Sequence, residues 1–451
     1  MMKPARLGDA VVSMKNGLYK PASEYGGDGV PCLRMYNIEA GTIVWRDIKR
    51  MRVTPVELDD YGLREGDLLV NRVNSRELVG KTASIPTSLE PSVFESKNIR
   101  VRVDPTKALP KFISYQLLFG GRRYFEGNAQ QVVGMASISQ KQIADFPIVL
   151  TDLDEQRRIV AEIEKQFSRL DEAVAGLQRV KANLKRYKAA VLKAAVEGRL
   201  VPTEAELARR EGRSYETGAQ LLQRILETRH SQWQGKGKYK EPAAPNIADL
   251  PVLPEGWAWA TINQLVAHLT DGDHQPPPQT ITGIPFLVIA NVRNGEVDFT
   301  DTRFVGEEYY ASLDISRRPQ QGDLLYTLVG SYGIPVSVNT SRQFCIQRHM
   351  AILRPHDRSP MKYLKIAMSS DFVFRQATAV ATGTAQLTVP LAGLRNIAIP
   401  LPPHADQHRI VTEVDRLLSI AREAEAEVDA NLKRAQALRQ AYLSSAFGSE
   451  Y

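Results

Sequence analysis

The sequence predicts an α/β (α+β) fold: two similar mixed α/β domains separated by two long helices that pair antiparallel as a coiled coil. Two observations predict it. The chain repeats itself: residues 143–196 can be laid over 394–447 with a constant shift of 251 and no gap, so that Gln156-Arg157-Arg158-Ile159-Val160 falls on Gln407-His408-Arg409-Ile410-Val411. Each copy then enters a run with helical spacing and ends at a glycine, Gly198 and Gly448. A repeat of about 250 residues is too long for a solenoid unit, so it describes two similar domains, each followed by a long helix.

Residues 1–150 form the first domain, with strands in the majority. Val30-Pro31-Cys32-Leu33-Arg34-Met35 and Gly66-Asp67-Leu68-Leu69-Val70 are short β-rich runs near turn signals. Ile99-Arg100-Val101-Arg102-Val103 alternates apolar and basic residues, as a half-exposed strand does. Lys111 to Leu118 reads as a helix. The second domain, 255–402, follows the same order. Ile284-Pro285-Phe286-Leu287 matches the first run, Gly322-Asp323-Leu324-Leu325 the second, and Met361-Lys362-Tyr363-Leu364 opens the corresponding helix.

The first long helix occupies 151–200 and opens on a capping-box-like Thr151 and Asp154. Ile163, Leu170, Leu177, Leu184 and Val191 recur at strict sevens, with Phe167, Val174 and Ala195 beside them. A strict seven-residue repeat implies a left-handed supercoil with a partner helix. The second long helix, 403–451, follows Pro400, Pro402 and Pro403, whose rings stop the preceding structure. Val414, Ala421, Val428, Ala435 and Tyr442 occupy the matching sevens in a smaller seam that carries more acid, Glu423, Glu425 and Glu427. A basic seam beside an acidic one predicts that the two helices pair. Residues 201–254 read as a linker holding one short amphipathic helix around 219–226, with Gln234 to Lys240 and the Pro-rich 241–254 flexible.

Composition is that of an ordinary soluble protein, 43% apolar and 24% charged, and 451 residues suffice for two or three cores. The start of the chain leads into no apolar segment of a signal peptide, and no run approaches 18 uncharged apolar residues, so a cytoplasmic protein without a membrane span is expected. Cys32 and Cys345 sit in apolar strand-like runs and read as small buried hydrophobes. The net charge of +7 is uneven: residues 1–150 carry 21 Lys and Arg against 16 Asp and Glu, whereas 251–400 carry 12 of each. A polyanionic partner fits this excess, and the first domain shows the footprint more clearly.

Catalytic signatures are missing. There is no G-x-x-x-x-G-K-[ST] loop, no G-x-G-x-x-G fingerprint, no H-E-x-x-H and no C-x-x-C. Asp271-Gly272-Asp273-His274-Gln275-Pro276-Pro277-Pro278 lacks the Asn/Asp-Pro-Pro-Tyr/Phe order that an amino-methyltransferase needs. His404 and His408 have metal-like spacing but no third ligand, and read as a solvated helix start. No catalytic and no metal residues are expected, which favours a binding subunit over an enzyme.

The chain resembles the specificity (HsdS) subunits of type I DNA restriction-modification systems over nearly its whole length. The resemblance is carried by Asp154-Glu155-Gln156-Arg157-Arg158-Ile159-Val160 and Asp406-Gln407-His408-Arg409-Ile410-Val411, which open the two helices. It is also carried by Leu192-Lys193-Ala194-Ala195-Val196-Glu197-Gly198-Arg199-Leu200, by Leu253-Pro254-Glu255-Gly256-Trp257, and by Gly-Asp-Leu-Leu in each domain. The first domain departs from the pattern: no Leu-Pro-Glu-Gly-Trp precedes its Arg6-Leu7-Gly8-Asp9.

The resemblance implies two target-recognition domains, each reading one half of a split sequence in double-stranded DNA. It implies helices that fix the unread spacer and dock two HsdM-type methyltransferase subunits acting on adenine N6. HsdR-type motor-nuclease subunits would join for restriction. S-adenosylmethionine, ATP and Mg would belong to those partners, with no cofactor in this chain. The helical sevens Ile163, Leu170, Leu177, Leu184, Val191, Val414, Ala421, Val428 and Tyr442 would form the spacer and partner surface.

Base reading needs amide, hydroxyl and guanidinium groups on loops. In the first domain these are Asn71, Arg72, Asn74, Ser75, Arg76 and Lys81 after Gly-Asp-Leu-Leu, with Tyr36, Asn37, Gln130, Gln131 and Ser137. In the second they are Thr327, Ser331 and Tyr332, then Asn291 and Arg293, then Thr382, Gly383, Thr384 and Gln386, while Arg348 and His349 are expected to add a phosphate contact. The alternatives are a protein-binding coiled-coil scaffold and a fused DNA-modifying enzyme, the latter disfavoured by the missing motifs.

Overall fold

The computed structural model describes residues 2–448 except 88, 133, 234–236, 275–276, 294 and 357–360, and leaves out the side chains of Val132 and Arg293. The chain divides into two compact units, residues 1–179 with 428–451, and residues 180–427.

Each unit is built on a four-stranded antiparallel sheet of the same connectivity. In the first unit the spatial order is Val11–Asn16, Asn98–Val103, Leu68–Asn71, Thr82–Ser84. In the second it is Val266–Asp271, Met350–Pro355, Leu324–Thr327, Pro335–Ser337. Beside it lies a second sheet, three-stranded in the first unit and four-stranded in the second, in which a short edge strand runs parallel to its neighbour: Val93–Phe94 with Tyr25–Leu33, and Cys345–Ile346 with Ile284–Leu287. A two-stranded ribbon then leads into each long helix, Lys3–Arg6 with Pro147–Leu150 and Ala258–Thr261 with Ala398–Leu401. Pro400 does not stop structure, as its ring alone predicts. It lies within the last of these strands, where a two-stranded ribbon leaves one edge free of ladder bonds.

The Gly-Asp-Leu-Leu element is structural in both units. Asp67 accepts the backbone N–H of Arg64 at 2.9 Å and the Nε of Arg102 at 2.9 Å. Asp323 accepts the N–H of Gln320 at 2.8 Å and pairs with Arg354 at 2.8 Å. The aspartate thus closes the turn before the central strand and neutralises an arginine on the neighbouring strand. This corrects the expectation of a half-exposed strand at 99–103: Arg100 is buried too, donating to Gly62 O at 2.8 Å, so both faces of that strand are covered.

The first long helix spans Leu153–Val196 and the second His404–Phe447, 44 residues each, or about 66 Å at about 1.5 Å per residue. The first is capped by Asp152 rather than Thr151, because the Asp152 carboxylate reaches the N–H of Glu155 at 2.9 Å. In the first unit the core takes in Ile159, Val160, Ile163 and Phe167 from the first helix and Leu443 and Phe447 from the second. The Phe447 ring meets Phe112 edge-on at 5.5 Å, and Arg439 caps the Phe167 ring at 4.4 Å while pairing with Asp171. In the second unit Val191, Ala195 and Val196 share a core with Ile410 and Val414, and Lys188 pairs with Glu425 at 2.7 Å. Within each unit the helices run antiparallel.

The seam is uneven. Val414, Ala421, Val428 and Ala435 are buried and Tyr442 is half-buried, whereas of the first helix's sevens Ile163 and Val191 are buried and Leu170, Leu177 and Leu184 half-buried.

Among the described residues, 201–254 hold two helices, not the single one expected. Glu204–Glu211 and Gly218–Ser231 each start on a threonine capping box, Thr203 with Glu206 and Thr217 with Gln220. The first was missed because eight mostly charged residues give little apolar period. Gly218 packs so closely that a Cβ there would meet Leu401 O at 2.2 Å, which fixes the second helix to the ribbon.

Candidate nucleic-acid interface

In the first unit the central strand Leu68–Asn71 runs into a loop that ends at Gly80. The start of that loop, Val73–Asn74, pairs with Met135–Ser137, which in turn pairs with Gln130–Val132. The fold thereby places Arg72, Asn74, Ser75, Arg76, Gln130, Gln131 and Ser137 around one small sheet, although they lie up to 65 positions apart in the sequence. Their roles divide. Asn71 is fully buried, its amide donating to Lys97 O at 3.0 Å and Asn98 Oδ1 at 3.2 Å, and its Oδ1 accepting from Asn74 Nδ2 at 2.7 Å. Asn74 Oδ1 then accepts the N–H of Ser75 at 2.9 Å. These two asparagines shape the loop. Arg76, Gln130 and Gln131 are exposed, and Arg72, Ser75 and Ser137 half-exposed.

Lys81 is held against the protein, its Nζ donating to Met35 O at 3.2 Å, and burial pulls its pKa down while Glu39 opposes that. The neighbouring Tyr36 is 62% exposed, with the Arg34 guanidinium 5.3 Å from its ring centre. Asn37 is buried and internal: its Oδ1 accepts the N–H of Arg34 and its amide donates to Val44 O and Arg46 O. Arg122 and Arg123, exposed at the start of the helix Arg122–Asn128, were not singled out from the sequence; Arg122 borders the same hollow as Glu77 and Lys81. Their adjacency at a helix start was the only signal.

In the second unit the matching loop is shorter. Thr327 is fully buried, its hydroxyl donating to Ser331 O at 2.8 Å and accepting the N–H of Ile334 at 2.9 Å, so it is a turn former. The exposed segment 382–387 is closed on itself by the Thr382–Thr388 bridge and joined to this loop by the Val329–Thr388 bridge and the bond from Gly330 N to Leu387 O at 3.1 Å. Ser331, Tyr332, Thr384 and Gln386 are thus brought together. Arg348, exposed, and His349, half-buried, lie next to them, because Leu328 N donates to His349 O at 2.8 Å. Burial and then Arg348 lower the His349 pKa, so the imidazole is neutral at neutral pH. Asn291 repeats Asn37, its Oδ1 accepting the N–H of Val288 at 3.0 Å. The side chain of Arg293 lies outside the described residues, as do Gln275 and Pro276 of the Asp271–Pro278 run.

Three sequence signatures meet in one place in the second unit. Trp257 donates its indole N–H to Asp406 at 3.0 Å, and Gly198 packs under Pro254 and Trp257, where a Cβ would come within 2.4 Å and 3.1 Å of them. Asp406 also accepts from Arg409 at 2.6 Å and from the N–H of Glu204 at 2.8 Å, and Glu204 pairs with Arg409 and Arg213. Burial is the dominant influence on Asp406 and raises its pKa against these partners. This cluster is architectural: it ties the end of the first helix, the connector and the start of the second helix together. Among the described residues no three His, Cys, Asp or Glu side chains gather as a metal site, and no helix is long and apolar enough to cross a membrane.

A chain with one sheet scaffold used twice, two loop clusters of different chemistry and a long helix after each scaffold has the fold of an HsdS-type subunit. A solved structure described as the structural basis of complex assembly and conformational transition of the type I R-M system matches with a TM-score of 0.63, covering 99% of this chain and 97% of that one at 19% identity. The chain is also similar in sequence to the type I restriction enzyme EcoBI specificity subunit of Escherichia coli, 25% identical over 449 residues, covering 98% of this chain and 85% of that one. The EcoKI specificity subunit of Escherichia coli strain K12 is 23% identical over 435 residues, covering 94% and 82%. No model of a protein family matches the chain. By fold and by sequence, the chain resembles the type I restriction-modification specificity subunits.

Proposed function

We propose that the chain is the DNA sequence-specificity subunit of a type I restriction-modification complex. Specificity subunits of this kind recognise DNA and are not catalytic. Each sheet domain reads one half of a bipartite duplex target through its post-strand loop, and the paired helices set the gap between the halves, since half-site spacing follows protein dimensions. The chain directs HsdM-type methyltransferase subunits, two per chain, to adenine N6, and HsdR-type motor-nuclease subunits to unmodified DNA. S-adenosylmethionine, ATP and Mg act in those partners. An adenine in a duplex must be extruded to be methylated, a task for the methyltransferase pocket while this chain holds the DNA.

One observation carries the reading. The two four-stranded sheets agree strand by strand and keep the same Asp–Arg pair, yet the loops mounted on them differ in length and chemistry. A fixed frame with variable loops is how recognition is built on a rigid scaffold. The test is Arg72→Ala with Arg76→Ala in the assembled complex, assayed against duplexes altered in one half at a time. Discrimination at one half should be lost and the other kept. Equal loss at both halves contradicts independent readers.

A further inference from the structure

The glycine that closes each post-strand loop shows how the two readers differ. Gly80 donates its N–H to Asn71 O at 2.8 Å, and Gly333 to Thr327 O at 3.0 Å. Both have positive φ, +83° and +91°, and both lie against a phenylalanine: a Cβ on Gly80 would come within 2.3 Å of the Phe125 ring, and one on Gly333 within 2.6 Å of the Phe374 ring. In the first unit that phenylalanine is core. Phe125 is fully buried, stacked on Phe146 at 5.6 Å with Tyr124 edge-on at 5.3 Å. In the second unit it is surface. Phe374 is 41% exposed, and the Tyr332 ring lies parallel to it, centres 5.5 Å apart and planes within 9°.

The stack is held from several sides. Gly333 backs Phe374, the Tyr332 hydroxyl is 3.0 Å from Thr378 Oγ1, and Gly330, at φ +68°, lets Gln386 approach so closely that a Cβ would meet its Nε2 at 2.7 Å. Tyr332 occupies the post-strand loop where the first unit carries the exposed Arg76. The charge differs in the same sense: the stretch 251–400 is neutral where 1–150 carries an excess of five. An aromatic face offers nothing to a phosphate but fits the apolar part of a base edge. In the major groove that part is the C5-methyl of thymine. Two stacked rings are also too thick to enter a base step, whose rise is about 3.4 Å, which argues against an intercalating wedge.

We propose that the Tyr332–Phe374 stack is a specificity determinant of the second reader and contacts a thymine C5-methyl in its half-site, with Gln386 beside it for the polar base edge. The inference rests on the DNA-reading function proposed above.

The experiment uses the assembled complex and duplexes of its target in which each thymine is replaced in turn by deoxyuridine, which lacks only that methyl. One replacement in the second half-site should weaken binding by the unmodified protein about fourfold, as expected for about 0.8 kcal/mol per buried methyl-sized group. Phe374→Leu and Tyr332→Ala complexes should lose that sensitivity while responding normally to replacements in the first half-site. A second half-site without thymine, or one insensitive to every replacement, overturns the inference without any variant. So do variants that keep the full methyl effect, or that fail to assemble with the methyltransferase, since the patch would then be a subunit contact. A complex with no sequence-specific DNA binding at all overturns the DNA-reading function itself, a distinguishable result.

Discussion

The indole nitrogen of Trp257 lies 3.0 Å from a carboxylate oxygen of Asp406, joining the opening of the second sheet domain to the first turn of the second long helix. Asp406 is 1% exposed and Trp257 8% exposed, so water cannot replace the bond when it is lost. Trp257→Phe should destabilise the second unit by about 1.5–3 kcal/mol, the worth of a hydrogen bond to a charged group. Hydrogen exchange checks this: faster exchange should appear across 204–231 and 404–414, with 1–150 unchanged.

The repeated aspartate gives a prediction for each unit separately. Asp67 and Asp323 each face a largely buried arginine, so Asp67→Ala removes the carboxylate paired with Arg102 and Asp323→Ala the one paired with Arg354. Removing one member of a buried pair costs about 3–5 kcal/mol. Thermal unfolding should show two separate transitions, with only the substituted unit moved. A shift of both together contradicts separate cores.

Acid should weaken the second unit selectively. All seven histidines lie between 230 and 408, inside the second unit. Burial lowers the pKa of His268, His349 and His356 below the ordinary 6.5. Below 6.5 the unfolded chain therefore binds protons that the folded unit does not, and stability falls as pH drops through that value. Denaturant midpoints measured between pH 7.5 and 5.5 should fall for the second unit, while no histidine contributes to any change in the first.

The proposed spacer role predicts a change in recognition without a change in the two sheet domains. Four-residue deletions around Leu177 and around Val428 together remove about one turn from each helix, or about 6 Å. The complex should then prefer a target with a shorter gap and the same two half-sequences. An unchanged gap contradicts a ruler.

Much of this architecture is legible in the sequence because duplication is a strong signal. The shift of 251 places the helices, and the recurrence of Gly-Asp-Leu-Leu places the central strands. What the sequence hides is partnership. Arg100 and Arg102 alternate with apolar residues as exposed arginines would, and only the fold brings Asp67 and Gly62 O to them. Asn37, Asn71 and Thr327 have the chemistry of base readers, but the structure gives their polar atoms to backbone and neighbouring asparagines. Phe374 carries no local signal of its exposure, and only the fold sets the Tyr332 ring parallel to it. The gathering of Gln130 and Gln131 with Arg72 depends on a strand pairing across some 60 positions, beyond any local pattern.

The most direct measurement is methylome sequencing of a strain that carries this gene with its methyltransferase gene, against the same strain with this gene deleted. The account predicts that deletion abolishes adenine methylation at one split motif with a fixed gap, and that Arg72→Ala with Arg76→Ala alters only one half of it. An unchanged methylome with both proteins expressed would contradict the specificity role.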